Sequence, residues 1–220
     1  ILGTNVGTCV TVQLLSLNLE NITLPCILAG SILVLSRKRH AGAALSGFGS
    51  MFMGLSFITH ASSPLAYSIT FFRAVSWVQH RPLAAIIVGT VVTAIIQYSS
   101  VVIGVLIALS RNDFIGLNSS IPLILGINLG TCFTGVLASI GSSRAAKQVA
   151  LAHVMLNLLG ILFFFPFLDM FVQLIEKTVQ SPEAQIANAH TIFNLVTSLL
   201  VLPFTKSFTK MIEAIIPDKA

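Results

Sequence analysis

The chain has 220 residues, of which 55% are hydrophobic, 12 are Lys or Arg and 7 are Asp or Glu. A charged fraction of 9%, where a soluble domain carries roughly a quarter, cannot supply the polar skin of a soluble globule. It excludes a disordered chain and a disulfide-rich secreted module as well. The net charge of +5 comes from short basic clusters between apolar runs, the pattern of a multi-spanning membrane protein and not of a nucleic-acid face.

The first eleven residues, ILGTNVGTCVT, open the chain without a start methionine or a charged signal-peptide region. The numbering is therefore expected to begin inside a longer sequence. Residues 22–36 form an apolar run that stops at Arg37-Lys38-Arg39-His40. In the next run, 41–59, Gly42, Ser46, Ser50 and Gly54 recur every fourth position, a ladder of small residues that lets helices approach closely in lipid. Residues 61–80 mix Tyr67, Arg73 and Trp77 with Phe71, Phe72 and Val75 and read as an interfacial segment. The run 82–110 is broken at Gln97-Tyr98-Ser99-Ser100, and 117–141 is expected to be broken at Gly126–Thr131. Plainer spans follow over 145–168 and 186–204, and 205–220 reads as a surface helix. Cys9, Cys26 and Cys132 form no CxxC pair and read as small buried side chains.

Charge decides the topology. With Arg37, Lys38 and Arg39 in the cytoplasm, a straight crossing by 82–110 leaves five bases inside and seven outside. A re-entrant hairpin tipped at Gln97–Ser100 instead gathers Arg144, Lys147, Lys206, Lys210 and Lys219 with them, eight inside against four outside. The excess of cytoplasmic bases favours the hairpin.

Residues 124–134, ILGINLGTCFT, match residues 1–11 at eight of eleven positions. The helix leaving the first copy ends at Leu17-Asn18-Leu19-Glu20 without a base, and that leaving the second meets Arg144 and Lys147. The two copies are thus expected to point in opposite directions. Inverted repeats with interrupted helices are the architecture of many secondary transporters, with substrate near the midplane where the breaks meet. The expected fold is an all-α integral membrane protein of this kind. Residues 1–59 hold the remainder of the first repeat and a linking span, 60–81 a connector, 82–172 the second repeat, and 173–220 a final span and tail.

These motifs resemble the type II sodium/phosphate cotransporter family in its compact bacterial branch. The resemblance rests on a Gln-x-Ser-Ser hairpin followed some thirty residues later by GxNxGTxxT. It extends through PLAAIIVGTVVTAIIQ, AKQVALAHVMLNLLG and AHTIFNLV. It implies sodium-coupled symport of inorganic phosphate across the inner (cytoplasmic) membrane, with Na⁺ as coupling ion and no other cofactor. It also implies a second Gln-Ser-Ser-Ser hairpin upstream of Gly3, and leaves room for a homodimer and a PhoU-like helical domain beyond the C-terminus. This chain departs from the family pattern at Tyr98, where a serine is usual.

The implied site comprises Gln97, Ser99 and Ser100 at the hairpin tip, Asn128, Gly130, Thr131 and Thr134 in the second motif, and Asn5, Gly7, Thr8 and Thr11 in the first. A broken helix in lipid exposes N–H groups suited to an anion and carbonyls suited to Na⁺. Neither motif contains Lys or Arg, so a phosphate there has to be compensated by dipoles and co-bound cations. Ser, Asn and Gly also serve simply to glue helices together; two copies and a polar tip together favour a site. The alternative is a non-transporting or different-anion member of the same fold, acting as a sensing or partner-binding subunit. His153-x3-Asn157 and His190-x3-Asn194 each place both side chains on one helix face, suited to bonding a neighbouring helix. No HExxH, Walker A or GxSxG motif points to an enzyme.

Overall fold

A computed structural model describes residues 1–17 and 19–217. Asn18 and Lys219, counted above at the end of the first motif and among the cytoplasmic bases, lie outside the described residues, as does the Glu20 side chain.

Among the described residues the chain is helical, without a strand. The helices are α1 (Leu2–Ser16), α2 (Glu20–Leu35), α3 (Arg39–Ser62), α4 (Ile69–Gln79), α5 (Pro82–Ile96) and α6 (Ser99–Arg111). They continue as α7 (Leu117–Ser139), α8 (Arg144–Phe164), α9 (Leu168–Glu176), α10 (Pro182–Val201) and α11 (Thr205–Ile215). Four stretches, Arg39–Leu65, Leu117–Ser139, Arg144–Glu176 and Pro182–Ile215, are long and apolar enough to cross a membrane. The protein is an all-α membrane protein.

Helices α2 and α3 form a tight antiparallel pair. A Cβ on Gly30 would overlap Ser46 and the Gly42 carbonyl, and one on Gly49 would press on Thr23, Cys26 and Ile27. The first half of the small-residue ladder therefore serves packing, as lipid requires where no hydrophobic drive joins helices. Its second half, Ser50 and Gly54, faces a cleft instead. The interfacial segment resolves into a 3₁₀ turn, Ser63–Tyr67, and α4, whose start is capped by Ser68 accepting from the Phe71 N–H at 3.2 Å. Helix α4 then meets α5 at 119°.

The run 82–110 is a hairpin. Helices of 15 and 13 residues reach about 20 Å each, short of a hydrocarbon core of roughly 30 Å. The chain reverses at Gln97, whose φ of 63° is left-handed. Asn112, just past α6, donates to the Thr59 carbonyl at 3.1 Å and to Ser62 Oγ at 2.9 Å. Phe114 packs on Phe71 and Phe72 of α4. Both ends of the hairpin thus lie at the end of the molecule where α3 finishes. Arg111 is there too, paired with Glu183 of α10 at 3.0 Å. At the opposite end Arg144 bonds the Pro217 carbonyl and Gln148 the Ile216 carbonyl. Arg37–Arg39, at the far end of α3, share that side.

One expectation is corrected. The GxNxGT segments do not interrupt their helices: α1 runs unbroken through Gly3–Thr11, and α7 through Gly126–Thr134. Two side chains of the expected site fold back on their own helix. Asn128 Nδ2 donates to the Ile124 carbonyl at 2.8 Å and Thr131 Oγ1 to the Ile127 carbonyl at 2.9 Å. The glycines of the second motif serve interhelical contact, not a turn, whereas a Cβ on Gly3 or Gly7 of the first would meet nothing within 4 Å. A Cβ on Gly126 would overlap the Ile86 carbonyl, and one on Gly130 the Thr90 carbonyl; Gly89 meets the Leu123 carbonyl from the other side. Glycine in a helix costs up to about 1 kcal/mol, and the backbone contact between α5 and α7 offsets it.

Candidate functional site

Four helices, α1, α7, α8 and α10, bring a set of amides and imidazoles together in a largely apolar core. Asn5, Asn128, Asn157, His190 and Asn194 are all buried. Asn5 Oδ1 lies 3.0 Å from His153 Nε2, which donates to it. Asn194 Nδ2 donates to Asn128 Oδ1 at 2.9 Å and lies 3.2 Å from His190 Nε2. Asn157 Nδ2 reaches the His153 carbonyl at 3.0 Å and Cys132 Sγ at 3.2 Å.

The contacts follow one rule for both motifs. Cys9 of the first lies against the His190 carbonyl, and Cys132 of the second against the His153 carbonyl. Each asparagine then bonds the other His-x3-Asn helix: Asn5 goes to α8, Asn128 to α10. Both His-x3-Asn pairs bond a neighbouring helix, the role their spacing suggested. Such bonds in a membrane interior contribute about 0.6 to 2 kcal/mol each. The network is also incompletely satisfied, since Asn5 Nδ2, Asn157 Oδ1 and His190 Nδ1 have no partner in the structure.

Helix directions follow from the same contacts. Along α1, Leu2, Cys9 and Gln13 meet Ser198, His190 and then Asn188 with Thr191, so α1 is antiparallel to α10. A four-residue turn, Ile140–Ser143, makes α7 antiparallel to α8. The α8–α9 rod is antiparallel to α10–α11, with Asn188 bonded to Thr178 at 3.0 Å, Gly160 abutting Thr197, and Gln148 bonded to Ile216 at 2.9 Å. Three reversals set α1 against α7 in direction.

Two of the sequence-predicted site residues, Ser100 and Thr11, share a cleft, and a second cleft is lined by none of the others. Ser100 at the start of α6 shares a cleft of about 250 Å³ with Thr11, Ser50 and Gly54. Ile1 and Thr4 share one of about 370 Å³ with Gly135, Ser139 and His153. Thr8 bonds its own helix at the Asn5 carbonyl. Gln97, Thr134 and Gly7 are exposed, so the structure does not bring the hairpin tip and both motifs into one pocket. Ser99 is half-buried at the tip. There the last carbonyls of α5 and the first N–H groups of α6 face the same turn. Each set is left without an intrahelical partner, negative on the α5 side and positive on the α6 side. Tyr98 is 71% exposed, its ring directed out of this turn. Tyr98→Ser is accordingly expected to change phosphate dependence of transport by no more than a few-fold, read as the apparent KM for uptake; a gain of tenfold or more would place the ring in the site.

Sequence reasoning found the two His-x3-Asn pairs but not their extent. Residues 152–176 and 189–213 match at ten of twenty-five positions, including Pro166 with Pro203 and Phe167 with Phe204. In the structure both prolines fall in 3₁₀ turns, Phe165–Phe167 and Leu202–Phe204, that join the two helices of each rod. An offset of 37 residues was the readable signal, and α8–α9 and α10–α11 are the elements it relates.

Comparison with known proteins places this arrangement. The family model described as Na⁺/Pi-cotransporter matches residues 1–60 and 66–181. The chain is 35% identical over 185 residues to the uncharacterized protein YqeW of Bacillus subtilis, covering 83% of this chain and 60% of that protein. It is 28% identical over 190 residues to the "Putative inorganic phosphate export protein YjbB" of Escherichia coli, covering 84% of this chain and 35% of that one. Over 86 residues it is 37% identical to the sodium-dependent phosphate transport protein 2A of Ovis aries, covering 37% of this chain and 14% of that protein. The chain thus spans 60% or less of the length of these relatives. No solved structure matches.

Proposed function

The chain belongs to the Na⁺/Pi-cotransporter family, and from that premise we propose that it forms the core of a sodium-coupled phosphate symporter built on an inverted repeat. The observation that carries this reading is the shared contact rule of the two motifs. Two near-identical segments run in opposite directions, each burying its asparagine against the partner His-x3-Asn helix. A transporter that exposes one site alternately to two sides needs two such arrangements, each close to the image of the other.

Phosphate is held at the hairpin tip by the N–H groups that open α6, with the Ser99 and Ser100 hydroxyls. Na⁺ is held by the carbonyls that close α5 and by hydroxyls such as Thr11, which shares the Ser100 cleft. The cation offsets the charge of the anion where Lys and Arg are lacking, which couples their binding. The deciding experiment uses the full-length protein in liposomes with ³²P-phosphate. An inward Na⁺ gradient is expected to drive accumulation that K⁺ does not support, and Ser99→Ala and Ser100→Ala are expected to reduce it by more than tenfold. Uptake indifferent to Na⁺ would overturn the symport reading.

One relative is named for phosphate export, which favours efflux as a second reading of the same site. Reversing the gradient in the same liposomes separates the two by the direction of net flux under imposed Na⁺.

The topology is tested separately. A cysteine introduced beside Arg144, in a background without native cysteines, is expected to react with an impermeant maleimide from the cytoplasmic side only. One beside Asp113 is expected to react from the outside only. Reaction of both from one side would remove the hairpin from the topology and the inversion with it.

A further inference from the structure

We propose that the cleft between α4 and the hairpin is a binding site for one anionic phospholipid of the bilayer, an acyl chain lying in the cleft and the headgroup phosphate against Arg81. The cleft has a volume of about 230 Å³ and is lined from α4 by Val75 and Val78, from α5 by Val88 and Val92, and from α6 by Val105 and Leu109, among other aliphatic residues. Its lining contains only Gly, Ala, Val, Leu and Ile. Water there would find none of the two to four polar partners it needs. The space, that of roughly eight liquid waters, suits a run of methylenes.

The walls of the cleft point to a lipid and not to another protein helix. Helix α4 buries none of its residues completely and bends away from α5 by 119°. Ala74, Val75 and Val78 look into the cleft. At 100° per residue, Arg73, Ser76 and His80 fall on the opposite face. Trp77 is 51% exposed, and the Arg81 guanidinium sits over its ring at 5.0 Å from the centroid. A tryptophan with neighbouring bases marks headgroup level. Bases on an amphipathic helix at that level attract anionic lipid. Arg81 stands three residues past Val78, which lines the cleft, so tail and phosphate sites lie within reach of a single lipid.

The test is native mass spectrometry of the full-length protein in detergent, titrated with phosphatidylglycerol or with phosphatidylcholine of the same chains. The wild type is expected to retain phosphatidylglycerol at least fivefold more strongly. Arg81→Gln is expected to abolish that preference while leaving weak binding of both lipids, whereas Arg73→Gln, on the opposite face of α4, is expected to leave it unchanged. Val105→Phe, which fills the cleft, is expected to weaken retention of both; Val92→Met fills it less and stands in if Val105→Phe does not fold. Excess inorganic phosphate is expected not to compete, because the tail supplies much of the affinity. Equal retention of the two lipids by the wild type, unchanged retention after the cleft is filled, or displacement by inorganic phosphate would each overturn the proposal.

Discussion

Gly126→Ala is expected to lower the stability of the protein by about 3 kcal/mol, read from its unfolding midpoint in mixed detergent, whereas Gly3→Ala is expected to change it by less than about 0.5 kcal/mol. The two glycines occupy the same place in two copies of one motif, and composition cannot tell them apart. Their surroundings do. A methyl on Gly126 meets the Ile86 carbonyl, its carbon and its Cα, all backbone atoms that cannot rotate aside. A methyl on Gly3 meets nothing within 4 Å. Alanine also favours a helix over glycine by up to about 1 kcal/mol, so only the clash makes the first change harmful. Similar losses at both positions would mean that α1 is packed against a further element along the same face.

Asn128→Ala and Asn5→Ala are each expected to reduce sodium-driven phosphate uptake by more than tenfold in liposomes matched for the amount of folded protein. Removing the Asn128 oxygen takes away the bond that joins the second motif to α10, while Asn194 Nδ2 keeps its bonds to His190 within α10. An interhelical hydrogen bond of this kind contributes about 0.6 to 2 kcal/mol. Asn5→Ala removes the corresponding bond to His153 on α8. A packing role alone would show as a lower unfolding midpoint with uptake per folded molecule unchanged; that result for both variants would reduce the motifs to helix glue.

The sequence was most legible where chemistry contrasts sharply with lipid. A polar tip inside an apolar run and the tally of bases led to the hairpin, and the structure folds 82–110 in that way. It was misleading where one residue type serves two purposes. Glycine flanking asparagine fits a broken helix and a close helix crossing equally well, and the choice between them depends on whether α5 lies opposite. No spacing along α7 carries that information, because Ile86 and Thr90 are some forty residues away in the chain. The grouping of site residues was illegible for the same reason. Thr11 and Ser100 meet across a cleft, whereas Gln97 and Asn128, read as one site, belong to different surroundings.

The meeting of Gly160 and Thr197 carries a consequence for the likeness of the two rods. These residues are 37 apart, the offset of the sequence match between the α8–α9 and α10–α11 rods, so each is the other's counterpart in that match. A perfect match would require one residue type at both positions. Two threonines do not fit, since any Cβ at 160 would strike Thr197 Oγ1 and the Phe193 ring. Two glycines would leave Phe193 with open space beside it. Steric exclusion at this contact therefore requires glycine at 160 wherever threonine and Phe193 stand opposite it. The departure from the match at this point is a condition of the packing.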